Sequence, residues 1–363
     1  MQTHPTPSHR GSGLTPSKWL AMGAGVALGV LAAWSSSARE NELSGAMQDR
    51  DAMIGFLAQC IETGADGLPR FGDQAQGTCH NHSLGADEPM VWRKFDWPAQ
   101  GDPLAFPTGY LANDAVVLSS GPAPLIAHIA DFGDTERQFR RFDAGKGDGG
   151  QVVQIIDGAA YAIMTEDGGA GYQWFVGPGC RGAAGGLERF KSWLFFAADV
   201  TPGSWRQRIA ELTMVRSASG CAPGFSQSLT RYRLEPIPVP LFALFEGKRQ
   251  SLTALVPTIV SEHFARDTVR ASDHLERFFL GNGLGMYRWE RWEQRGRSFN
   301  SEIDRQSAQF AQSGRCPPLP FSTPPAPGWV MIDCRMWTNL IRQDDPWRAS
   351  AFGWPGRLEG QLP

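Results

Sequence analysis

The chain has 363 residues, 42% hydrophobic and 20% charged, and carries a formal net charge of -3. That is enough apolar material for a sizeable core in one large domain or two smaller ones. A slightly acidic chain without a basic patch is not built to capture nucleic acid, and no such partner is expected. Aromatic residues reach 11%, with 13 Trp, a density that either fills a core or lines a platform for flat ligands such as sugar rings.

The N-terminus reads as an address. Arg10 and Lys18 precede the apolar run from Trp19 to Trp34, and Ser36-Ser37-Ala38 supplies small residues before Arg39. This is the pattern of a secretory signal peptide over 1–38. The run is short for a bilayer span, which takes about 20 residues. The mature chain is therefore expected to be exported, periplasmic or extracellular, without a membrane span. All six cysteines (Cys60, Cys79, Cys180, Cys221, Cys316, Cys334) follow the leader, and an even count in an exported chain points to disulfides. Closing the shortest loops would pair Cys60 with Cys79, Cys180 with Cys221 and Cys316 with Cys334. Spacing alone leaves the other pairings open. None of the six shows CxxC spacing, which argues against structural zinc and thioredoxin-like chemistry.

Residues 39–68 read as an N-terminal helix and linker. Leu43, Met47, Ile54, Leu57 and Ile61 recur at helical spacing between Glu40 and Thr63. Gly64, Gly67 and Pro69 then stop the helix, which is expected to pack on the main body. Over 69–363 the texture becomes short apolar runs between Gly, Pro and Asp clusters, the signature of an all-β domain. Strands are expected at Met90–Phe95, Ala115–Leu118, Leu125–Ile129, Tyr172–Val176, Trp193–Val200, Arg208–Val215, Leu252–Val260 and Val330–Trp337. Asp157-Gly158 joins Gln151–Ile156 to Ala159–Thr165 as a two-residue hairpin turn. The alternating prolines from Pro236 to Pro240 mark an edge or a crossing. Pro317 to Pro327 reads as a connection. No helix–strand alternation supports a dinucleotide-binding fold. A mainly β fold is expected, a two-sheet antiparallel sandwich of jelly-roll-like kind with an N-terminal helix after the signal peptide.

Motifs of known chemistry are sparse. His80 and His82, at i and i+2, lack an identifiable third metal ligand, and the acidic glycine turns follow no calcium-loop pattern. Gly-x-Ser-x-Gly, the P-loop and Gly-x-Gly-x-x-Gly do not occur. No metal or cofactor is expected.

The stretch Asp273–Glu293 stands out as a long β-hairpin, aromatic and charged on both sides of a glycine cluster. A two-residue Asn-Gly turn would set Arg277 against Arg288. A three-residue loop at Gly281-Asn282-Gly283 instead sets Glu276 opposite Arg288, His274 opposite Glu290 and Asp273 opposite Arg291. Opposite charges across strands stabilise, so the three-residue register is expected. It gathers His274, Glu276, Arg288 and Glu290 on one face as candidate acid–base or polar ligand residues. Trp292, Tyr287 and Trp289 are the candidate ligand-binding aromatics. The competing reading is a cross-strand ladder of ion pairs that does no chemistry. Two functions follow from an exported β-rich chain of this kind. One is recognition of a carbohydrate or cell-envelope glycan, extended to hydrolase or lyase chemistry if the hairpin acids are catalytic. The other is a non-catalytic envelope module that meets another protein.

Overall fold

A computed structural model describes residues 50–71, 91–94, 111–117, 125–131, 152–163, 194–216, 222–245, 248–314 and 316–342. The leader, Tyr172–Val176, the His80–His82 pair and the bridges Cys60–Cys79 and Cys180–Cys221 fall wholly or partly outside these residues.

Helix α1 spans Arg50–Leu57 and buries Met53, Phe56 and Leu57, the i, i+3, i+4 stripe of one face. The helix expected to reach Thr63 ends six residues earlier. Ala58 N–H still bonds the Ile54 carbonyl, but the next backbone donors are claimed by tertiary partners: Gln59 N–H donates to the Asp114 carbonyl and Cys60 N–H to that of Gly283. Ile61–Thr63 then forms β1 against β2 (Pro69–Phe71).

The remaining strands are β3 (Val91–Lys94), β4 (Leu111–Val117), β5 (Leu125–Asp131), β6 (Val152–Ile156), β7 (Ala159–Ile163), β8 (Leu194–Ala197), β9 (Arg206–Arg216), β10 (Ala222–Phe245), β11 (Lys248–Phe264), β12 (His274–Gly281), β13 (Gly285–Gln294), β14 (Trp329–Met336) and β15 (Asn339–Arg342). Hydrogen bonds join β3 to β15 into one 13-stranded sheet, ordered β14-β13-β12-β11-β10-β15-β3-β4-β5-β6-β7-β8, with β9 also on β10. Among the described strand pairings only β10–β15 is parallel, beside an isolated parallel bridge between Pro202 and Leu234, so the fold is mainly β and antiparallel as expected. The Asp157-Gly158 turn also forms as expected: both residues have positive φ, 51° and 67°, and join β6 to β7 at the Ile156↔Ala159 pair.

The proline run lies within β10, the longest strand. β11 pairs with it from Thr230 to Phe245. On its other side β9 covers it only to Tyr232 and β15 only from Phe242. Pro236 faces Pro257, and two residues without N–H groups can meet only at a non-hydrogen-bonded pair. Pro236, Pro238 and Pro240 share that parity, so their missing donors all lie on the side where β10 has no strand neighbour. The segment is an edge in the middle of a long strand.

The sheet turns back so that β8 packs on β10 and β11, with Ser261 Oγ donating to the Phe195 carbonyl. Both faces therefore carry core. Tyr232, Leu234, Ile259 and Phe278 join one cluster with α1 and β8. Ile237, Val239, Val260 and Phe279 join another on the opposite face. After β13 the chain forms helix α2 (Ile303–Ser313), which buries no residue and ends at Gly314 in the left-handed conformation. Segment 316–328 follows and leads into β14. The expected Cys316–Cys334 bridge ties its start to that strand.

Candidate functional site

The hairpin forms, but in a register three residues from the expected one. The pairs are Arg277↔Glu290, Glu276↔Arg291 and His274↔Glu293, not Glu276↔Arg288 and His274↔Glu290. Two local features produce the shift. The loop has three residues but is Asn282-Gly283-Leu284, closed by a Gly281↔Gly285 pair. A bulge at Tyr287 then adds one more residue on β13 between the Phe279↔Arg288 and Leu280↔Met286 pairs.

Glycine packing explains the position of the loop. A Cβ on Gly281 would lie 3.0 Å from the Tyr287 ring and from Val256, so this glycine serves as floor for the tyrosine. Gly283 and Gly285 have φ of 75° and 65°, and a Cβ on Gly285 would come within 2.2 Å of Asp114 Oδ2. Asp114 Oδ2 also accepts from Met286 N–H at 2.8 Å and from Arg93 Nη2 at 2.7 Å. Arg93 Nε donates to Gln59 Oε1 and Nη1 to the Met286 carbonyl. The start of β13 is thus fixed by a fully buried arginine. A cavity of about 20 Å³ beside this knot, lined by Asp114, Leu280, Met286 and apolar neighbours, has room for one water and none for a sugar.

An odd shift in register exchanges the faces. The four expected acid–base residues separate into two adjacent cross-strand rows on opposite faces of the sheet. The first row runs Arg231, Glu262, Arg277, Glu290, Cys334 across β10, β11, β12, β13 and β14. Its charges alternate and its centre is dry. Arg231 gives Nε and Nη2 to Glu262 Oε2, at 2.9 and 2.5 Å. Arg277 gives Nε and Nη2 to Glu262 Oε1, at 3.1 and 2.6 Å, and Nη1 to Glu290 Oε2 at 2.9 Å. Glu290 also accepts from Trp292 Nε1 at 2.8 Å, Arg288 Nε at 2.7 Å and Ser322 Oγ at 2.5 Å. Segment 316–328 covers the row. Arg288 donates to the Pro317 carbonyl and to Ser322 Oγ, and Arg277 to the Thr323 carbonyl. Burial pushes the Glu290 carboxyl up, but Arg288, Arg277 and the hydrogen bonds of Ser322 and Trp292 outweigh it and hold the group below its ordinary value. Arg277 is likewise raised against its own burial by Glu290 and Glu262.

The second row runs Thr230, His263, Glu276, Arg291, Asp333. It is buried at β10 and β11 and opens toward β14. His263 is packed between Phe195 and Phe278, at 5.1 and 4.9 Å, with Nε2 2.9 Å from Ser261 Oγ. Burial lowers its pKa to about 3. Glu276 accepts from Arg291 Nη1 at 2.8 Å and from Trp289 Nε1 at 3.0 Å. The Trp289 ring lies 4.8 Å from the Arg335 guanidinium. His274 sits beside this group, with Nδ1 2.9 Å from Asp273 Oδ1. Burial, then the charge of Arg291, holds it below the usual histidine value. His274, Glu276 and Trp289 are thus brought together on a partly exposed surface. Arg288, Glu290, Tyr287 and Trp292 are buried on the opposite side of the hairpin or in its bulge.

A third feature, which motif reading missed, closes the β10 end of the first row. Trp205 lies 5.2 Å from both the Arg231 and the Arg233 guanidinium. Phe321 stacks on Arg233 at 4.4 Å and Phe264 on Arg231 at 5.0 Å. The backbone places Trp205 there: Gly203 N–H donates to the Leu234 carbonyl and Leu234 N–H to that of Thr201. An Arg-x-Arg pair at strand spacing was the available signal. Among the described residues no group of His, Cys, Asp and Glu has metal-holding geometry, and no helix is long and apolar enough to cross a membrane. Comparison with protein families, curated proteins and solved structures finds no match.

Proposed function

We propose that the protein is an exported, non-catalytic glycan-binding module of the cell envelope, and that His274, Glu276, Trp289 and Arg291 form its ligand surface. The observation that carries this reading is the split of the hairpin. Glu290 accepts four hydrogen bonds in a dry site, so it has no acceptor capacity left for a substrate proton and acts as scaffold. On the opposite face an indole, a carboxylate, an imidazole and a guanidinium stand together at partial exposure. That mixture suits hydrogen bonding to hydroxyls beside an apolar ring face. Export is supported by the leader-like 1–38 segment and by Cys316–Cys334. The packing of β8 back onto β10 and β11 supports a sandwich-like layering of the sheet.

The test is binding to a glycan array and to purified envelope glycan, with Trp289→Ala and Glu276→Gln beside wild type. Loss of binding in both variants, with an unchanged thermal melt, supports the reading. Absence of any glycan binder, or binding indifferent to both changes, sinks it. A protein-interaction role rests on a different place. Leu255, 60% exposed and opposite Pro238, stands with Pro236 on an open apolar strip of β10 and β11. A partner that co-purifies and is lost in Leu255→Asp would favour that role.

A further inference from the structure

The arginines of the first row are not used equally. Arg277 and Arg288 each commit Nε, Nη1 and Nη2. Arg231 commits only Nε and Nη2, both to Glu262, and Arg233 only Nε and Nη2, both to Glu235. Among the described residues neither Nη1 has a partner. The charges do not balance either: Arg231, Arg233, Arg277 and Arg288 face Glu235, Glu262 and Glu290, four cations against three carboxylates, an excess of one positive charge. At the Arg277–Arg288 end the side chains are 2% and 1% exposed. At the Arg231–Arg233 end they are 21% and 15% exposed. The excess charge and the uncommitted donors therefore emerge at one place, beside Trp205, a residue 36% exposed.

We propose that the Nη1 edges of Arg231 and Arg233, together with Trp205, form a second binding site, for a uronate-type sugar whose carboxylate bridges the two guanidinium groups. The forks are held in place before a ligand arrives, since each is tied by two bonds to a glutamate and stacked on rings, so little side-chain entropy is lost on binding. A carboxylate supplies the missing negative charge and accepts from both edges. The exposed indole offers an apolar surface next to it, and a sugar acid carries an apolar ring face together with its carboxylate. This site lies on the opposite face from the His274–Trp289 surface and shares no residue with it, so either can fail alone.

Binding of polygalacturonate, its methyl ester and dextran sulfate to the full exported chain tests the proposal. Polygalacturonate is expected to bind about tenfold or more tightly than the ester, the size of effect that losing one charge-assisted hydrogen bond produces. Arg233→Gln is expected to abolish that preference, with circular dichroism and a thermal melt reporting that the fold is kept. Glu235→Gln is the decisive variant. Its amide keeps an oxygen for the Arg233 fork but removes the negative charge that competes with the ligand carboxylate, and the change is expected to tighten polygalacturonate binding several-fold, a gain that misfolding cannot imitate. Equal binding of acid and ester, weaker binding in Glu235→Gln, or a preference for dextran sulfate overturns the proposal. Loss of neutral-glycan binding in Trp289→Ala with polygalacturonate binding intact separates this site from the hairpin surface.

Discussion

The two rows that cross β10 to β14 are one residue apart on every strand, yet they open in opposite directions. The Arg231–Glu262–Arg277–Glu290 row is sealed at β13 and open at β10. The Thr230–His263–Glu276–Arg291–Asp333 row is sealed at β10 and open at β14, where the Glu276, Arg291 and Asp333 side chains are 16%, 24% and 30% exposed. The same residue types thus meet different dielectric surroundings within a few ångströms. In the dry row a charge persists because every oxygen is paired. In the wet row a charge can be exchanged for a ligand contact. Burial, and not residue identity, divides scaffold from candidate surface.

The comparison breaks most visibly if the two glutamates are removed in turn. Glu290→Ala leaves Arg277 and Arg288 facing an empty buried site, and is expected to cost about 3–5 kcal/mol. Glu276→Ala acts on a part-exposed pair and is expected to cost about 1 kcal/mol or less. Denaturant unfolding measures both, and equal losses would mean that the rows do not differ. Next in size is acid sensitivity. His263 has a folded pKa of about 3 against roughly 6.5 in the unfolded chain. The unfolded chain binds the proton first as pH falls, so stability drops between those values, by a few kcal/mol in all. Glu290, depressed in the folded state, contributes stability above the unfolded carboxylate value of roughly 4.3, lost as pH falls through its lower folded value. His263→Phe is expected to shrink the upper part of this acid slope, to which His274, also held below its ordinary value, contributes the rest, while the lower part remains. A third effect concerns the cover over the dry row. Replacing Cys316 and Cys334 by Ser releases the 18-residue loop they close and is expected to cost about 3 kcal/mol, read as a downward shift in thermal melt.

How far the sequence could reach is clear at particular residues. Asp157-Gly158 was legible because only a turn with positive φ at both positions fits that dipeptide between two apolar runs. The Cys316–Cys334 bridge was legible from short closure. The proline run was legible as an edge, though not as one inside a 24-residue strand, since pairing on the β11 side leaves no mark on the prolines. The hairpin register was not legible. The rule that opposite charges face each other is satisfied by Glu276–Arg288 in the expected register and by Glu276–Arg291 and Arg277–Glu290 in the observed one. The tie is broken by Tyr287 lying over Gly281 and by Asp114 filling the space where a Gly285 side chain would go. Asp114 lies far from the hairpin in sequence, so no local pattern could weigh it. Trp205 was invisible as a site residue for the same reason: hydrogen bonds to Leu234, 30 or so residues on, bring it to the arginines.

The smallest expected effect is also the sharpest test of that register. Glu276 and Arg291 form a part-exposed pair at 2.8 Å, the class worth roughly 0.2–1 kcal/mol across strands. A double-mutant cycle with Glu276→Gln and Arg291→Gln isolates this coupling from the other contacts of each residue. In the observed pairing the cycle is expected to return a favourable coupling of that size, weakened by salt because the pair is solvated on one side. In the other register Arg291 would face Asp273 and Glu276 would face Arg288, so the Glu276–Arg291 coupling would fall to about zero and an Asp273–Arg291 coupling would appear in its place. The faces invert with the register. A null Glu276–Arg291 cycle would therefore bury His274 and Glu276 with Glu290 and remove the open surface on which the glycan reading depends.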